Sequence, residues 1–380
     1  MKVPIQKPRS LEDVSRNFSR YGIRKKWFRD DLLSIRQPDL ILITSMMTYW
    51  YPGVQETINI TKEIFPNVPI ILGGIYASLC YDHAVINSGS DLVVTGSGEE
   101  QILKIAGDYP NFSVTRDLES RDLDTYPYPA FELQNTIGYI PLQTSRGCPF
   151  ACKYCASHFL NPKRMRRSPE YVVEEIKYWH EKHRVIDFVF YDDALLVDAE
   201  NHAAPMFERI INEKLKVRFH TPNAVHISEI TAKVARLMFQ AGFKTLRLGL
   251  ETTLFEKRQE LDQKFTEKEF KKAASCLLGA GFNRDMLGAY LLVGLPGQEI
   301  KSIEASIKTV KQNGVTPVLA YYSPIPHTAL WNQAVSSSRY PLESDPVFTN
   351  NAIFPCQNED FSWEKISHLK NLTRISHEEF

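Results

Sequence analysis

Short apolar runs alternate with amphipathic stretches along most of the 380-residue chain. Between residues 38 and 107, PDLILITSM, VPIILGGIY and DLVVTGSG read as buried strands. VQETINITKEIF lies between the first two, with Val54, Ile58 and Ile60 to Ile64 near helical spacing, and EEQILKIAG follows the third. Apolar runs separated by helices predict a parallel sheet. The turns after its strands carry Ser45-Met46, Gly73-Gly74 and Gly96-Ser97-Gly98. Such sheets bind ligands at the carboxyl ends of their strands, although glycine there also simply permits a tight turn.

A second repeating unit runs from 139 to about 326. Its strand candidates are YIPLQTS (139–145), VIDFVFY (185–191), VRFHT (217–221), FKTLRLGL (243–250), LGAYLLVG (287–294) and VTPVLAYY (315–322). A helix opens at Ser168-Pro169, a cap followed by proline at the first helical position, and places Val172, Ile176 and Trp179 on one face. Another opens at Thr266 with Glu269 three residues on, a capping box. Six βα units in succession predict an α/β parallel barrel, or an open part of one. The chain divides into a polar, basic helix-and-loop lead-in (1–36), a Rossmann-like domain (37–110), a linker rich in Tyr-Pro (111–138), the barrel (139–326) and a tail packing on it (327–380).

Lys plus Arg and Asp plus Glu each total 45, a formal net charge of zero. That balance argues against a nucleic-acid or anionic-membrane surface. No apolar run approaches the ~20 residues of a membrane span, and the first residues lack the apolar stretch of a signal peptide. The expectation is a cytoplasmic protein, where thiols stay reduced and clustered cysteines bind metal or do chemistry.

Against that background, SRGCPFACKYCASH (145–158) holds three of the six cysteines, Cys148, Cys152 and Cys155. Cys80, Cys276 and Cys356 are scattered. A structural zinc site needs four ligands, for which His158 is the available fourth. Iron–sulfur cubanes are normally held by four thiolates. Three leave one iron free for a chelating substrate, and the loop follows the first barrel strand, where TIM-like barrels place their active sites.

SRGCPFACKYC resembles the cluster-binding motif of the radical S-adenosylmethionine (SAM) enzymes, and the resemblance extends over 139–326. It implies a (β/α)6 partial TIM-like barrel. It also implies a [4Fe-4S] cluster on Cys148, Cys152 and Cys155, whose open iron binds the amino and carboxylate groups of SAM. Reductive cleavage of SAM then releases a 5′-deoxyadenosyl radical. Carried over position by position, Tyr154 is implied beside the adenine, and Asp192 and Asp193 at the methionine amine. Asn223 is implied as a hydrogen-bond partner and Glu251 at the ribose hydroxyls. Arg247 is either a contact to the SAM carboxylate or half of a structural ion pair. In VGLPGQ, Gly294, Leu295 and Pro296 let the backbone approach the adenine. In YYSPIPHTALW, His327 stands where many members have glycine.

The N-terminal segments ITSMMTYW, FPNVPIILGGIYASL and DLVVTGSGEE resemble the later part of the flavodoxin-like cobalamin (B12)-binding domain of one radical SAM branch. The family's Asp-x-His-x-x-Gly loop is absent, since Asp82-His83 lacks that spacing, and the first βα unit is replaced by the basic lead-in. The resemblance thus implies a truncated domain and leaves cobalamin open. It implies an external electron donor such as flavodoxin or ferredoxin, and a small-molecule or peptide substrate. The sharpest reading is a cobalamin-dependent methyltransferase. The alternatives are a radical rearrangement, dehydrogenation or epimerisation, and, in another class, an iron–sulfur or zinc electron-transfer or scaffold protein.

Overall fold

The structure, a computed structural model, describes residues 1–107, 122–256, 261–262, 264–356 and 361–374. The first part of the expected linker (111–138), up to residue 121, lies outside them. The chain divides into two compact units.

The first comprises Met1–Val114, Ser323–His327 and Trp331–Pro355. It opens with β1 (Lys2–Pro4) antiparallel to β2 (Ser19–Tyr21), followed by α1 (Lys25–Ser34). These three-residue strands carry no buried residue, so no hydrophobic period announces them within a stretch that reads as helix and loop. Next come β3 (Ile41–Ser45), α2 (Tyr51–Ile64), β4 (Ile70–Gly74), α3 (Ile75–Leu79), α4 (Tyr81–Asn87), β5 (Leu92–Val93) and α5 (Gly98–Gly107). The strands form a parallel sheet in the order β3-β4-β5. Ile43, Leu72 and Val93 share one register row, Leu42, Ile71 and Leu92 the next. Leu72 and Val93 from the first row join Ile58, Ile70, Tyr76, Ala77 and Ala84 in the core, with Ile43 packed against it. Leu42 and Leu92 from the second row are exposed.

Gly74 closes the β4–α3 turn at φ +96°, where a Cβ would lie 2.2 Å from the Ser45 carbonyl oxygen. Ser45 Oγ donates to the Gly73 carbonyl at 2.7 Å and accepts from the Ala77 amide at 3.3 Å. The later chain returns to this unit through α12 (Trp331–Ser337) and the segment after it. Thr349 Oγ1 meets Thr48 Oγ1 at 2.7 Å in a buried contact. The hydroxyls of Tyr51 and Tyr340 donate to Asp345 and Asp13 at 3.1 and 3.0 Å. His327 takes φ +66°, a glycine-like conformation, and its Nε2 lies 3.1 Å from the Leu79 carbonyl. The expectation of a tail (327–380) packing wholly on the barrel is corrected here: Trp331–Pro355 groups with the N-terminal unit. Its anchors are isolated side-chain bonds, which leave no periodic trace in sequence.

The second unit comprises Thr115–Tyr322, Thr328–Leu330 and Cys356–Phe380. It begins with β6 (Ile140–Leu142), β7 (Ser145–Arg146), α6 (Ser157–Leu160) and β8 (Met165–Arg166). Alternating helices and strands follow: α7 (Pro169–His183), β9 (Asp187–Phe190), α8 (Ala203–Asn212), β10 (Arg218–His220), α9 (Ala232–Ala241) and β11 (Phe243–Glu251). Then come α10 (Glu267–Ala280), β12 (Leu287–Val293), α11 (Ile300–Gln312), β13 (Thr316–Tyr321) and α13 (Trp363–Arg374). Six of these strands form one parallel sheet in the order β6-β9-β10-β11-β12-β13. Consecutive order without a reversal is the wiring of a βα barrel, and β6 and β13 remain edges among the described residues, so the barrel is open. The expected caps form. Ser168 accepts from the Tyr171 amide, and Thr266 and Glu269 make a reciprocal capping box.

Phe188, Phe190, Phe219 and Phe243 on β9 to β11 are fully buried, and Phe207 on α8 packs on Phe243 with ring centroids 5.1 Å apart. Contacts of this kind are each worth about 0.5–1.5 kcal/mol beyond area burial. They fix the strands whose carboxyl ends carry the polar groups described below. No described helix is long and apolar enough to cross a membrane.

Gly74→Ala is expected to cost about 2 kcal/mol or more, read as a lowered thermal-unfolding midpoint. Gly98→Ala, whose Cβ would meet nothing within 4 Å, is the matched control and should leave that midpoint unchanged.

Candidate functional site

The cysteine segment is a loop framed by its own hairpin. Ser145 pairs with Arg166 and Arg146 with Met165. At the neck, Gly147 takes φ +82°, and a Cβ there would lie 2.9 Å from the Asn161 carbonyl. The loop is pinned by backbone bonds from Lys153 N–H to the Leu261 carbonyl (3.0 Å) and from Leu330 N–H to the Lys153 carbonyl (2.9 Å). All three thiols are free of disulfides. Cys152 is buried, Cys148 and Cys155 half-buried. Burial pushes the Cys152 thiol up to about 11 and raises Cys148. Three thiols free of disulfides in one loop are a donor set that suits an iron–sulfur group, which is held by cysteine thiolates.

Asp192, at the end of β9, is fully buried beneath this loop. Its carboxylate accepts from Thr144 N–H at 2.9 and 3.1 Å, Thr144 Oγ1 at 2.8 Å and Ser145 Oγ at 2.7 Å. Burial raises its pKa while these bonds oppose the rise. The carboxylate implied for an amine is therefore spent on the loop's entry. Asp193, half-buried, is the one turned toward the cysteines. It hydrogen-bonds Ser157, whose Oγ is 3.3 Å from Cys155 Sγ. Asn223 Nδ2 donates to the Tyr191 carbonyl at 2.8 Å and the Asp192 carbonyl at 3.4 Å, bridging the ends of β9 and β10.

Arg247 and Glu251 lie on one face of β11. The half-buried guanidinium of Arg247 lies over Gly288 of β12, where a Cβ would come within 2.9 Å of Arg247 Cδ. Its Nη1 donates to the Leu246 carbonyl at 3.0 Å, and no carboxylate pairs with it among the described residues. Among the described residues it thus makes no structural ion pair. Glu251, buried at φ +57°, folds back over Gly249, where a Cβ would be 3.2 Å from Glu251 Oε1. Tyr154 reaches Glu251 from the cysteine loop, and its phenol is raised by burial and by that carboxylate. At the end of β12, the Gly294 and Leu295 amides both donate to Gln298 Oε1, at 2.8 and 3.2 Å. Gln298 Nε2 returns to the Leu292 carbonyl at 2.8 Å. The turn whose backbone is expected to approach an adenine uses these two amides internally, while Pro296 stays half-exposed at its tip.

Two site residues escape the sequence reading. Lys264 Nζ donates to Tyr154 Oη at 3.0 Å and lies 3.4 Å from Glu251 Oε1, with Cys152 within electrostatic reach. Burial would lower its pKa, but Glu251, Cys152 and Asp262 hold it above its ordinary value. His226 stacks on Phe150 at 4.7 Å with its Nε2 3.9 Å from Cys148 Sγ. Burial, then Lys264, push it down to about 4, so the imidazole is neutral. His226 sits in the same TPNAVHI segment as Asn223, a usable signal. Lys264 sits in a polar stretch without period and gave none.

In the first unit, His83 of the Asp82-His83 pair is engaged, with Nδ1 2.7 Å from the Tyr76 hydroxyl and its ring 4.6 Å from Tyr51. In the single turn after β5, Cβ atoms at Gly96 and Gly98 would meet nothing within 4 Å, whereas the turn after β4 is tight at Gly74.

Comparison with known proteins matches residues 142–310 to the radical SAM superfamily and residues 30–106 to the B12 binding domain. An uncharacterized methyltransferase of Pyrococcus horikoshii is 26% identical over 79% of this chain and 70% of that protein. The anaerobic magnesium-protoporphyrin IX monomethyl ester cyclase of Rubrivivax gelatinosus is 24% identical over 85% and 62%. The chain spans about half to seven tenths of the curated relatives it matches first. Among solved structures, the radical SAM methyltransferase TsrM of Kitasatospora setae, with cobalamin and a [4Fe-4S] cluster bound, shares the fold. It superposes with a TM-score of 0.71 at 14% identity, over 93% of this chain and 81% of that one. With the consecutive six-stranded sheet and the three-cysteine loop after its first strand, the two matches show a radical SAM domain over residues 142–310 with a B12-binding domain over residues 30–106 ahead of it.

Proposed function

We propose that the chain is a radical SAM enzyme that methylates a small molecule or peptide with the help of cobalamin. The observation that carries the radical half is the three-thiol loop over a buried carboxylate clasp, beside a polar wall of Asp193, Arg247 and Glu251. The B12-binding domain and the methyltransferases among the relatives support the methylating half. When bound, a [4Fe-4S] cluster supplies the electron that splits a carbon–sulfur bond of SAM, and cobalamin carries a methyl group.

The protein's own share is holding and orienting. Cys148, Cys152 and Cys155 hold the cluster. Asp193 takes the cationic amine, since Asp192 is committed to the loop. Arg247, half-buried and lacking a carboxylate partner, takes an anionic group such as the SAM carboxylate, a charge-assisted pairing. Glu251 and Tyr154 face the ribose and adenine, with Pro296 at the rim. An external low-potential donor such as flavodoxin or ferredoxin delivers the electron.

Anaerobically reconstituted protein is expected to bind about four irons and four sulfides per chain, and to form 5′-deoxyadenosine from SAM under a strong reductant. Cys148→Ala, Cys152→Ala and Cys155→Ala should each abolish both. Zinc without sulfide, or a reduced cluster that leaves SAM intact, would reject the proposal in favour of a scaffold or electron carrier. Cobalamin absorbance retained after desalting supports methylation; its absence with 5′-deoxyadenosine still formed points to a non-methylating radical reaction.

Arg247→Ala and Asp192→Ala separate binding from support. Arg247→Ala should weaken SAM binding by roughly tenfold or more, as expected for loss of a charge-assisted bond worth about 1.5–3 kcal/mol, with the melting temperature kept. Asp192→Ala strands the buried donors of Thr144 and Ser145 and should cost several kcal/mol of stability, seen in thermal unfolding before any change in SAM affinity. Equal effects of the two variants on stability would contradict this division.

A further inference from the structure

We propose that Lys264 is a positioning residue that sets the reduction potential of the cluster held through Cys152. The inference rests on the cluster assignment above and concerns a residue outside the motif.

Lys264 reaches the cysteine loop from the segment between β11 and α10. Its side chain is 12% exposed, and that of Glu251 beside it is 9% exposed. The ammonium bonds two different parts of the site at once: Tyr154 Oη at 3.0 Å, on the loop between Cys152 and Cys155, and Glu251 Oε1 at 3.4 Å. Cys152 and Asp262 lie within its electrostatic reach. A lysine needed only to neutralise Glu251 has no reason to bond the tyrosine between two cysteines of the motif as well.

The potential of an iron–sulfur centre depends on its net charge, on hydrogen bonds to its sulfurs and on exposure to solvent. Lys264 acts on the first and the last. Its charge favours the reduced cluster, which carries one more negative charge. Its buried stem keeps water from that side of the loop. In a site of low effective dielectric such a charge acts strongly at short range. Glu251 opposes it, so the pair sets a balance whose two halves have opposite signs.

The test is a potentiometric titration of the reconstituted cluster without SAM, followed by electron paramagnetic resonance, with iron, sulfide and circular dichroism recorded for each variant. Lys264→Met should keep its iron while the one-electron reduction equilibrium falls at least tenfold, about 59 mV toward negative potential. Lys264→Arg, which keeps the charge, should stay near the wild type. Glu251→Gln, which removes the opposing charge, should move toward positive potential. An unmoved midpoint in iron-replete Lys264→Met, or a folded Lys264→Met that holds no cluster, overturns the proposal. Should Lys264→Met fail to fold, Glu251→Gln decides: a midpoint unchanged or shifted negative overturns it. Wild-type protein without iron and sulfide would instead bring down the cluster assignment itself.

Discussion

The buried carboxylate of Asp192 is the constraint on which the site depends. It comes from the end of β9 and takes every donor offered by the entry to the cysteine loop, the Thr144 amide and hydroxyl and the Ser145 hydroxyl. A buried carboxylate without partners would cost several kcal/mol or protonate. With several donors the cost turns into a directional clasp, because only one placement of the loop satisfies it. The hairpin of Ser145 and Arg146 with Met165 and Arg166 then sets the loop's width. The thiols inherit their places from two strands and one side chain, all rigid elements.

A second level of order follows from charge. The polar wall beside the loop is rich in acids, with Asp193, Glu251 and Asp262, and Lys264 is the cation set directly among the last two and Cys152. Its ammonium ties the cysteine loop, through Tyr154, to the end of β11. Glu251 meets it from a left-handed backbone conformation of the sort that is held only when the surroundings over-determine it. Arg247 stands apart, two register steps down the same strand, bonded to a neighbouring carbonyl and to no acid. The two cations thus differ in surroundings, one set among carboxylates and the other bonded to a backbone carbonyl.

Much of this was legible beforehand. All six strands of the barrel were read from apolar runs, because central parallel strands are buried on both faces and show as uninterrupted Val, Ile, Leu and Phe. The caps at Ser168 and Thr266 were read because capping chemistry is local. The site was legible only where chemistry is concentrated in one segment. The three cysteines fall within eight positions, whereas Lys264 lies more than a hundred residues from Cys152 and only the fold unites them. Asp192 and Asp193 show the limit most sharply. The sequence offers two adjacent carboxylates after a strand, and adjacent positions face opposite ways. Which one enters the core depends on Thr144 and Ser145, forty-eight and forty-seven residues away.

The first unit shows why its late segment escaped. Right-handed crossovers in the consecutive order β3-β4-β5 put the helices on one face of the sheet. That leaves the row of Leu42, Ile71 and Leu92 on the other, with Leu42 and Leu92 exposed. A three-stranded sheet with a single covered face is close to the minimum that is stable alone. Further support therefore comes from distant chain. The buried contact of Thr48 with Thr349 spans 301 positions, and the bond from Tyr51 to Asp345 spans 294. Contacts of such separation gain nothing until the intervening chain is ordered, so they form late and carry a loop-closure cost. The first unit is thereby built from two stretches of sequence that lie on either side of the barrel, held together by side-chain contacts rather than by any shared hydrophobic period.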